Sequence, residues 1–587
     1  MRTQSFIRYC SEDRIIAILV KERVKLLDPP DNGQKKTKEQ KKQIAERNRQ
    51  RAENKVYCKL CTILPPRRTW VKPSKKERSH LKNERTNQLK NAATALKLTI
   101  ARDRSGECKR MEYNKDISRP DYIPYLNEFV ADILRTVKQG NVELAAPKTT
   151  GIFKKKEEID GKVVITFRPI SVYDDLKTKV LIKLASEYLT DILDPYFHEE
   201  ILSYRRRRNY HGEHPKEKYM TKADDAIPNI QKFRQAHENP YVAECDIKKF
   251  YDIVNHDQVM ASLDQLLVAN GIDRSKISGA IAVLQSYMDG YNFKESVLDK
   301  SHEPGYWDAY IKGLTRTLKL GGKSIECQFG WVSELEFFER GGYAPETWAE
   351  DCKKIGIPQG GVLSTLICNI LMNDVDRAVV DANDKNRLFN RFGDDIILMH
   401  ATEEGCCQLF EAYKDSLTAH QLIYHDEKSV GDHYKNGVLT APGYWDEKTK
   451  APFRWGQGEG NAAEWIGFVG YEVSCGGDVR LRKSTLKKQF NKICYRYHKV
   501  TCGEVVETTV SQCMKTFDRV PWSILKFDQL NFNPSSRKQM HHLDRYRHNK
   551  REKAVRYLSK LPKKKQDGYV EKPNHPASYA SILASKK

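Results

Sequence analysis

Residues 390–399 read Asn-Arg-Phe-Gly-Asp-Asp-Ile-Ile-Leu-Met, and this stretch decides the fold. Two adjacent aspartates, Asp394 and Asp395, stand between apolar runs, with Gly393 directly before them. The pattern predicts a β-hairpin whose strands cross a core and whose tip carries both carboxylates. Adjacent carboxylates repel each other, so this placement is costly unless a cation neutralises them. The alternative is a solvated surface turn, which the apolar flanks disfavour.

A third carboxylate stands at the end of another short apolar run. Residues 241–254 read YVAECDIKKFYDIV, so a buried strand ends at Asp246 and a tight turn leads towards a helix. Magnesium prefers carboxylate oxygens and leaves room for phosphate. Two such ions ~3.5–4 Å apart suit in-line phosphoryl displacement. The sequence therefore predicts a two-metal site in which Asp246 faces the aspartate pair.

The segment between these carboxylates supports that hypothesis. Residues 356–371 read GIPQGGVLSTLICNIL, a loop rich in glycine and proline followed by an apolar helix. Such a loop allows a backbone to approach a flat base or sugar. A Pro-Gln-Gly-Gly loop alone is a weak signal, but its position between the two aspartate segments makes it specific.

Size and charge indicate a polyanionic partner. The 587 residues include 101 Lys or Arg against 78 Asp or Glu, a formal net charge of +23. Residues 33–110 hold 24 Lys or Arg against 7 Asp or Glu, so most of the surplus lies there. Nucleic acid and an anionic membrane surface both fit this charge. No apolar stretch reaches the ~18 residues that span a bilayer, and we expect a cytoplasmic protein.

Changes in composition and hydrophobic pattern along the chain predict four regions. These are a basic N-terminal extension (1–115), a region with a hairpin turning at Asp160-Gly161 (116–240), an α/β centre with insertions near 285–350 and 434–460 (241–475), and a basic helical tail (476–587). A helix is expected from about Asp174 to Asp194. Cys58 and Cys61 could form half of a zinc site with His80 and Cys108, or be two ordinary thiols.

Taken in order, these segments resemble the palm motifs of reverse transcriptases. Motif A corresponds to Asp246–Val254, motif B to Gly356–Asn369 and motif C to Phe392–Asp395. Further similarity is seen in Tyr424–Ser429 (motif D), Trp465–Tyr471 (the motif E primer grip), Phe153–Lys156 and Phe167–Ile170 (fingers strands), and Ser203–Arg205 (the segment before the palm). The resemblance covers roughly residues 120–495.

The resemblance implies a mixed α/β (α+β) right-hand fold, with fingers, a palm of antiparallel sheet plus helices, and a helical thumb. It implies an RNA-directed DNA polymerase that uses two Mg²⁺ ions, with Mn²⁺ as an alternative. Roles carried over from the family fall to metal ligands (Asp246, the Ile247 carbonyl, Asp394, Asp395), a general acid (Lys428), nucleotide contacts (Lys154, Lys156, Arg168, Ile247, Tyr251, Gln359) and nucleic-acid contacts (Arg205, Arg206, Gly467, Lys487).

Tyr251 falls at the family's steric-gate position, where a ring collides with a 2′-hydroxyl and so favours deoxynucleotides. A departure from the family pattern is Phe392-Gly393 before the aspartates, because Gly-Asp-Asp is also typical of RNA-dependent RNA polymerases. Gly361, Thr365 and Asn369 fit the pattern of those enzymes too. Template-free terminal transfer and a non-catalytic RNA-binding scaffold are the other open alternatives.

Residues 479–488, Val-Arg-Leu-Arg-Lys-Ser-Thr-Leu-Lys-Lys, resemble the segment after the palm in bacterial unknown-group enzymes, the defence-associated reverse transcriptases. This implies anti-phage defence, a dedicated noncoding RNA as template, a DNA product made from dNTPs, and a homo-oligomer or partner protein. The resemblance implies no membrane partner.

Overall fold

The computed structural model describes residues 5–27, 53–79, 84–105, 122–203, 225–311, 324–380, 384–435, 447–458, 460–501 and 534–560. It also describes the isolated positions 49, 51, 205–208, 218–220, 438–439, 444 and 517. The side chain of Arg206 lies outside this set.

The helices number sixteen among the described residues, apart from short 3₁₀ and π turns. They are α1 (Phe6–Tyr9), α2 (Glu12–Lys25), α3 (Lys55–Ile63), α4 (Glu84–Arg104), α5 (Ile123–Gln139), α6 (Leu176–Leu193), α7 (Ala226–Ala236), α8 (Phe250–Ile253), α9 (His256–Ala269), α10 (Arg274–Asp289), α11 (Glu334–Arg340), α12 (Trp348–Asp351), α13 (Ser364–Arg377), α14 (Glu403–Ala419), α15 (Lys483–Thr501) and α16 (Pro534–Ser559).

The strands of the same residues also number sixteen. They are β1 (Lys148–Ile159), β2 (Lys162–Val172), β3 (Arg206–Arg208), β4 (Lys218–Met220), β5 (Tyr241–Asp246), β6 (Ile325–Phe329), β7 (Arg387–Phe392), β8 (Asp395–His400), β9 (Glu427–Lys428), β10 (Tyr434–Lys435), β11 (Val438–Leu439), β12 (Thr449–Trp455), β13 (Ala462–Ala463), β14 (Trp465–Phe468), β15 (Tyr471–Ser474) and β16 (Val479–Leu481).

The central sheet has the order β13-β12-β5-β8-β7, with β9 paired to β12. Strand β8 runs antiparallel to both β5 and β7, so the hairpin predicted around Gly393 lies beside the strand that ends at Asp246. Apolar side chains of β5 and β8 face helices α9, α13 and α14 in one large core. The predicted mixed α/β class is confirmed, with an antiparallel sheet covered by helices.

The segment 434–460, predicted to be an insertion, contributes directly to this sheet. Strand β12 pairs antiparallel with β5, matching Lys450 to Glu244 and Phe453 to Val242. Trp455 and Phe453 are buried in a second core that also contains residues of α15 and α16. The central sheet therefore extends beyond motif A through a strand that the sequence pattern did not reveal.

The predicted hairpin of the fingers is confirmed, and its turn lies at Asp160-Gly161. Both turn residues have positive φ, 49° and 75°, which the short polar side chain of Asp and the absence of one in Gly allow. Strand β6, from the predicted insertion at 285–350, adds in parallel to β2. Aromatic residues of the same insertion pack under the hairpin, where the ring centroids of Trp307 and Phe167 lie 5.1 Å apart.

The same insertion also contacts the turn after Asp246. Lys249 Nζ donates to the Gly330 carbonyl at 2.9 Å, and Trp331 Nε1 donates to the Asp252 carbonyl at 3.1 Å. These contacts brace the insertion, and with it the neighbouring strand β6, against the chain that follows Asp246. Lys249 itself has a left-handed backbone, with φ 50°.

The N-terminal helices pack on the fingers helices. Phe6 and Tyr9 both lie 5.0 Å from the Tyr188 ring of α6 between ring centroids. Leu96 and Ile100 bury one side of α4 in the same core. The described part of the basic extension therefore contributes apolar side chains to the core, whereas residues 33–48 lie outside the described set.

Candidate active site

Three carboxylates gather at one end of the central sheet. Asp246 and Asp395 are direct cross-strand partners in the β5–β8 ladder, and Asp394 lies in the adjoining turn. Directly opposed residues of an antiparallel pair have Cβ atoms about 4.5–5.5 Å apart, where like charges repel. The facing arrangement predicted from the sequence is thus present in the strand register.

Burial and the repulsion of neighbouring carboxylates keep two of these carboxyls, those of Asp246 and Asp395, less acidic than usual, as their raised pKa values show. Burial is the main cause that raises the pKa of Asp246, and its contact with Lys448 only partly offsets the effect. Burial, then repulsion by Asp394 and Asp246, raises the pKa of Asp395 to about 6. A bound cation would relieve this repulsion, which is the electrostatic signature expected of a metal site.

The donor set fits magnesium held jointly with a ligand. All three side chains offer hard carboxylate oxygens, which magnesium prefers. Among the residues that the structure describes, no three His, Cys, Asp or Glu side chains converge on one point as a complete metal cage. Magnesium is ordinarily bound through one or two carboxylates with waters and substrate phosphates, so an incomplete cage is compatible with that ion.

The carbonyl of Ile247 remains a candidate ligand. Next to it, His425 N donates to the Asp246 carbonyl at 3.0 Å and Lys248 N donates to the Ile423 carbonyl at 2.7 Å. These two hydrogen bonds pair the chain on either side of Ile247 with the segment around Tyr424, and the Ile247 carbonyl takes part in neither of them. Its role in metal binding stays a prediction.

Lys448 is a site residue that sequence reasoning missed. Its Nζ donates to Asp246 Oδ2 at 2.9 Å, from the position just before β12. Lys428, expected to act as the general acid, is exposed on β9 and pairs in register with Lys450. The only local signal was the spacing of Lys448 and Lys450, which puts both lysines on one face of a strand.

A buried network holds the turn that carries Asp394. Gly393 has φ 71°, and its N–H donates to the Ser203 hydroxyl. The guanidinium of Arg391, fully buried, donates to both oxygens of Asp376 on α13 at 2.9 and 2.8 Å. It also reaches the Gly393 carbonyl at 3.3 Å. Arg391 and Asp376 were not singled out from the sequence, because nothing local indicates that they meet.

The predicted nucleic-acid contact of Arg205 requires correction. Its side chain is buried, with Nε donating to Asp194 Oδ1 at 2.8 Å and Nη2 donating to the Asp194 carbonyl at 2.6 Å. A further bond to the His198 carbonyl measures 2.6 Å. The guanidinium therefore caps the end of α6, where unpaired carbonyls need donors, and cannot also lie on a nucleic-acid surface.

The side of the site expected to hold the sugar is built by Tyr251, Asp252 and Gln359. Gln359 Nε2 donates to Asp252 Oδ1 at 2.6 Å, and the backbone carbonyl of Gln359 accepts from Ser171 N at 3.0 Å. The motif B loop is thereby tied both to motif A and to the fingers hairpin. The half-buried Tyr251 packs on the core beside α13, where its hydroxyl interacts with the Cys368 thiol.

The side expected to hold phosphates carries clustered cations. Burial, followed by repulsion from Arg168, lowers the pKa of Lys154, and the Asp252 carboxylate opposes that shift. Lys154 is thus the hairpin lysine that faces the site. Lys155 pairs instead with Glu157 at 2.7 Å, and Lys156 is exposed.

The predicted primer grip lies next to the carboxylates. A cavity of about 170 Å³ is lined by residues that include Asp246, Asp395, Lys448, Gly467 and Arg482. A Cβ at Gly467 would come within 2.2 Å of Arg482 Nη2, so any other residue there would require the guanidinium group of Arg482 to shift. Lys487 is exposed on α15. The nucleic-acid contacts of Gly467 and Lys487 stay predictions.

Cys58 and Cys61 are both exposed on α3, and the Cys58 thiol donates to the Arg51 carbonyl at 3.6 Å. His80 and Cys108, the other ligands considered for zinc, lie outside the described residues.

Asp252→Asn should change how stability depends on pH. Burial raises the pKa of Asp252 to about 6, despite the hydrogen bond from Gln359. Since the folded protein then holds this proton more tightly than the unfolded chain, the free energy of unfolding falls as pH rises from about 4 to 6. The contribution is at most about 1.4 kcal/mol per pH unit. Denaturant unfolding of both proteins across this range measures it.

The difference between the two proteins isolates Asp252 from the other carboxyls with raised pKa values. The free energy of unfolding of the wild type minus that of the variant should fall from about pH 4 to pH 6 and stay constant above pH 6. A flat difference throughout would contradict the assignment.

Comparison with known proteins places this site in a family context. Residues 337–472 match the family model of reverse transcriptase (RNA-dependent DNA polymerase). Among solved structures, apo telomerase from Candida tropicalis is similar at 13% identity, over 94% of this chain and 87% of that one, with a TM-score of 0.32. Telomerase from Candida albicans with the TWJ fragment of telomeric RNA is similar at 12% identity, over 82% and 73%, with a TM-score of 0.29. No curated protein matches the sequence.

The family match confirms the predicted resemblance and the expected class of enzyme, an RNA-directed DNA polymerase and hence a nucleotidyltransferase. The matched segment includes Asp394, Asp395 and the loop around Gln359. Asp246 lies outside it and reaches the site through the β5–β8 pairing. None of the described helices is both long and apolar enough to cross a membrane.

Proposed function

We propose that the protein extends a DNA strand on an RNA template, with Asp246, Asp394 and Asp395 at the reacting phosphate, because residues 337–472 match the reverse transcriptase family model. The observation that carries this proposal is the direct pairing of Asp246 with Asp395, beside Asp394 in the turn. Together they collect negative charge where a phosphoryl-transfer site needs divalent cations.

In the proposed reaction the 3′-hydroxyl of the growing strand attacks the α-phosphate of a dNTP. The new O–P bond forms as the bond to pyrophosphate breaks, and the hydroxyl proton passes to solvent water. Two Mg²⁺ ions, when bound, would activate the hydroxyl and neutralise the leaving group. The three carboxylates would hold these ions, and Lys154 and Arg168 would orient the triphosphate by charge-assisted hydrogen bonds.

A preference for deoxynucleotides is proposed to depend on Tyr251. Its ring packs on the core and its hydroxyl is engaged beside Cys368, so the side chain is held rather than free to swing. A fixed ring under the sugar would exclude a 2′-hydroxyl.

Tyr251→Ala should relax this choice. We expect incorporation of ribonucleotides relative to deoxynucleotides to rise about 10- to 100-fold, because the excluded volume is removed. Single-nucleotide primer extension with dNTP and NTP in parallel measures the ratio. Phe250→Leu, next to the gate in the core, is the matched control and should leave the ratio unchanged. An unaltered ratio in Tyr251→Ala would reject the gate assignment.

RNA-dependent RNA polymerisation is the second candidate, favoured by Gly393 before the aspartates. The wild-type ratio in the same assay separates the two, since an RNA polymerase would prefer NTPs. Template-free transfer would extend the primer without a template, and a non-catalytic scaffold would extend nothing.

We further propose that the template is a dedicated noncoding RNA and that the DNA product serves in anti-phage defence. The support is the similarity of residues 479–488 to the segment after the palm of defence-associated enzymes. Sequencing of nucleic acid that copurifies with the protein tests the template. Phage plating on cells that express the wild type or an aspartate variant tests the role, and equal plating would exclude it.

A further inference from the structure

Strand β12 places two lysines against two carboxylates of β5. Lys450 is matched to Glu244 in the ladder, and its buried Nζ lies 2.5 Å from Glu244 Oε2. Because the strands are antiparallel, the residue two positions before Lys450 falls opposite the residue two positions after Glu244. Lys448 is therefore directed to Asp246 by the strand register, and not by chance contact of a surface side chain.

The two lysines differ in how firmly they are held. The side chain of Lys450 is 2% exposed, whereas that of Lys448 is 58% exposed. The backbone at Lys448 is thus anchored by a buried ion pair two residues away, while its ammonium group stays accessible to solvent. Because water reaches this ammonium group, its exchange from the buried Asp246 carboxylate to another anion costs less than separating a pair that is buried on both sides.

Lys448 Nζ contacts the oxygen that a cation at Asp246 would need. The distance to Oδ2 is 2.9 Å, and His425 Nε2 lies 3.6 Å from the same oxygen. Lys448 Nζ is thus within hydrogen-bond distance of Oδ2, whereas the imidazole nitrogen lies beyond it. The ammonium of Lys448 is consequently the cation that a divalent ion must displace from Asp246 Oδ2.

The surroundings of Lys448 also indicate where the displaced ammonium goes. Lys448 lies close enough to Lys154 to contribute to the lowered pKa of that lysine, which itself neighbours Arg168. The side chain therefore contacts Asp246 and also lies near the cations proposed to hold the triphosphate. A polyphosphate bound at Lys154 and Arg168 would offer Lys448 new anionic partners.

We propose that Lys448 is an exchangeable counter-ion, which competes with a divalent cation for Asp246 and, once displaced, binds the polyphosphate of the nucleotide. This proposal rests on the proposed function and adds to the same site Lys448, the residue that directly precedes β12. It predicts opposite effects of one substitution on two ligands, which a purely structural role of Lys448 does not.

Lys448→Met in the full chain tests the proposal through binding alone. Without nucleotide, its affinity for Mn²⁺, followed by electron paramagnetic resonance, should rise about three- to tenfold, because the competing charge is removed. Its affinity for inorganic tripolyphosphate, measured by calorimetry at Mn²⁺ concentrations that saturate both proteins, should fall by a similar factor, because the cation has then displaced Lys448 from Asp246 in the wild type. Weaker binding of both ligands, or unchanged Mn²⁺ affinity, would overturn the proposal.

Two further variants control for folding and for net charge. Lys448→Arg retains a cation and should bind Mn²⁺ and tripolyphosphate about as the wild type does. Lys354→Met removes an equally exposed lysine, paired with Asp257 at 2.8 Å away from the site, and should change neither affinity. A shift in Lys354→Met equal to that in Lys448→Met would reduce the effect to net charge and so overturn the proposal.

Neither measurement requires turnover, so this inference and the proposed function fail separately. If both affinities shift as expected but the wild type extends no primer, the proposed polymerase function is wrong and the role of Lys448 as a counter-ion stands.

Discussion

Asp246→Asn should reduce primer extension at least ~10³-fold, equivalent to about 4 kcal/mol of lost transition-state stabilisation. The amide keeps the shape of the carboxylate but loses the charge that would hold a divalent ion opposite Asp395. Steady-state incorporation of a single dNTP on a primed RNA template measures the loss. Residual activity within tenfold of the wild type would remove Asp246 from the proposed centre.

The stability of the same variant distinguishes lost chemistry from lost folding. The raised pKa of Asp246 means that the ionised carboxylate is less favourable in the folded protein than in the unfolded chain at pH 7. Replacement by a neutral amide should therefore leave the thermal midpoint unchanged or higher, although the contact with Lys448 is lost. A midpoint lower by several degrees would instead attribute the inactivity to unfolding.

Arg391→Met should lower the free energy of unfolding by about 3–5 kcal/mol. The substitution leaves the fully buried Asp376 carboxylate without the two hydrogen bonds that it accepts from the guanidinium. Attraction to Arg391 is also the main influence that opposes the rise in the pKa of Asp376 caused by burial. Chemical denaturation followed by circular dichroism measures the loss.

A double variant separates the buried charge from the packing. Arg391→Met with Asp376→Leu replaces both partners by apolar groups and should recover most of the stability, because no unpaired carboxylate remains. If Arg391→Met alone costs less than about 1 kcal/mol, the network does not support the turn that carries Asp394.

Local features of the fold could be predicted because their causes are local. The turn at Asp160-Gly161 follows from the ability of both residues to adopt positive φ, as observed. Helix α6 begins after Asp175, whose side chain accepts from Thr178 N, close to the predicted start near Asp174. The strand ending at Asp246 and the hairpin around Gly393 were likewise evident from apolar runs interrupted by carboxylates.

The part of the site that depends on strand order could not be predicted from the hydrophobic pattern. That pattern indicates that β5 and β8 are strands, but it does not say which strands pair or in which register. The facing of Asp246 and the aspartate pair was expected because a two-metal site requires it, and the resemblance to reverse transcriptases implied the same arrangement. The structure contains the same pairing as a direct register contact.

Local patterns were therefore sufficient to predict strands β5, β7 and β8, the hairpin turns and the three carboxylates, since period-two patterns and turn residues act over a few positions. The long-range contacts became evident only from the folded chain: β12 joins the central sheet, Lys448 contacts Asp246, and Arg205 and Arg391 are buried. A charged residue reads as a surface residue until its partner is known, and those partners lie 11 to 202 positions away. Such pairings arise when the chain folds back on itself, because a buried charge is stable only where a distant segment supplies the opposite charge.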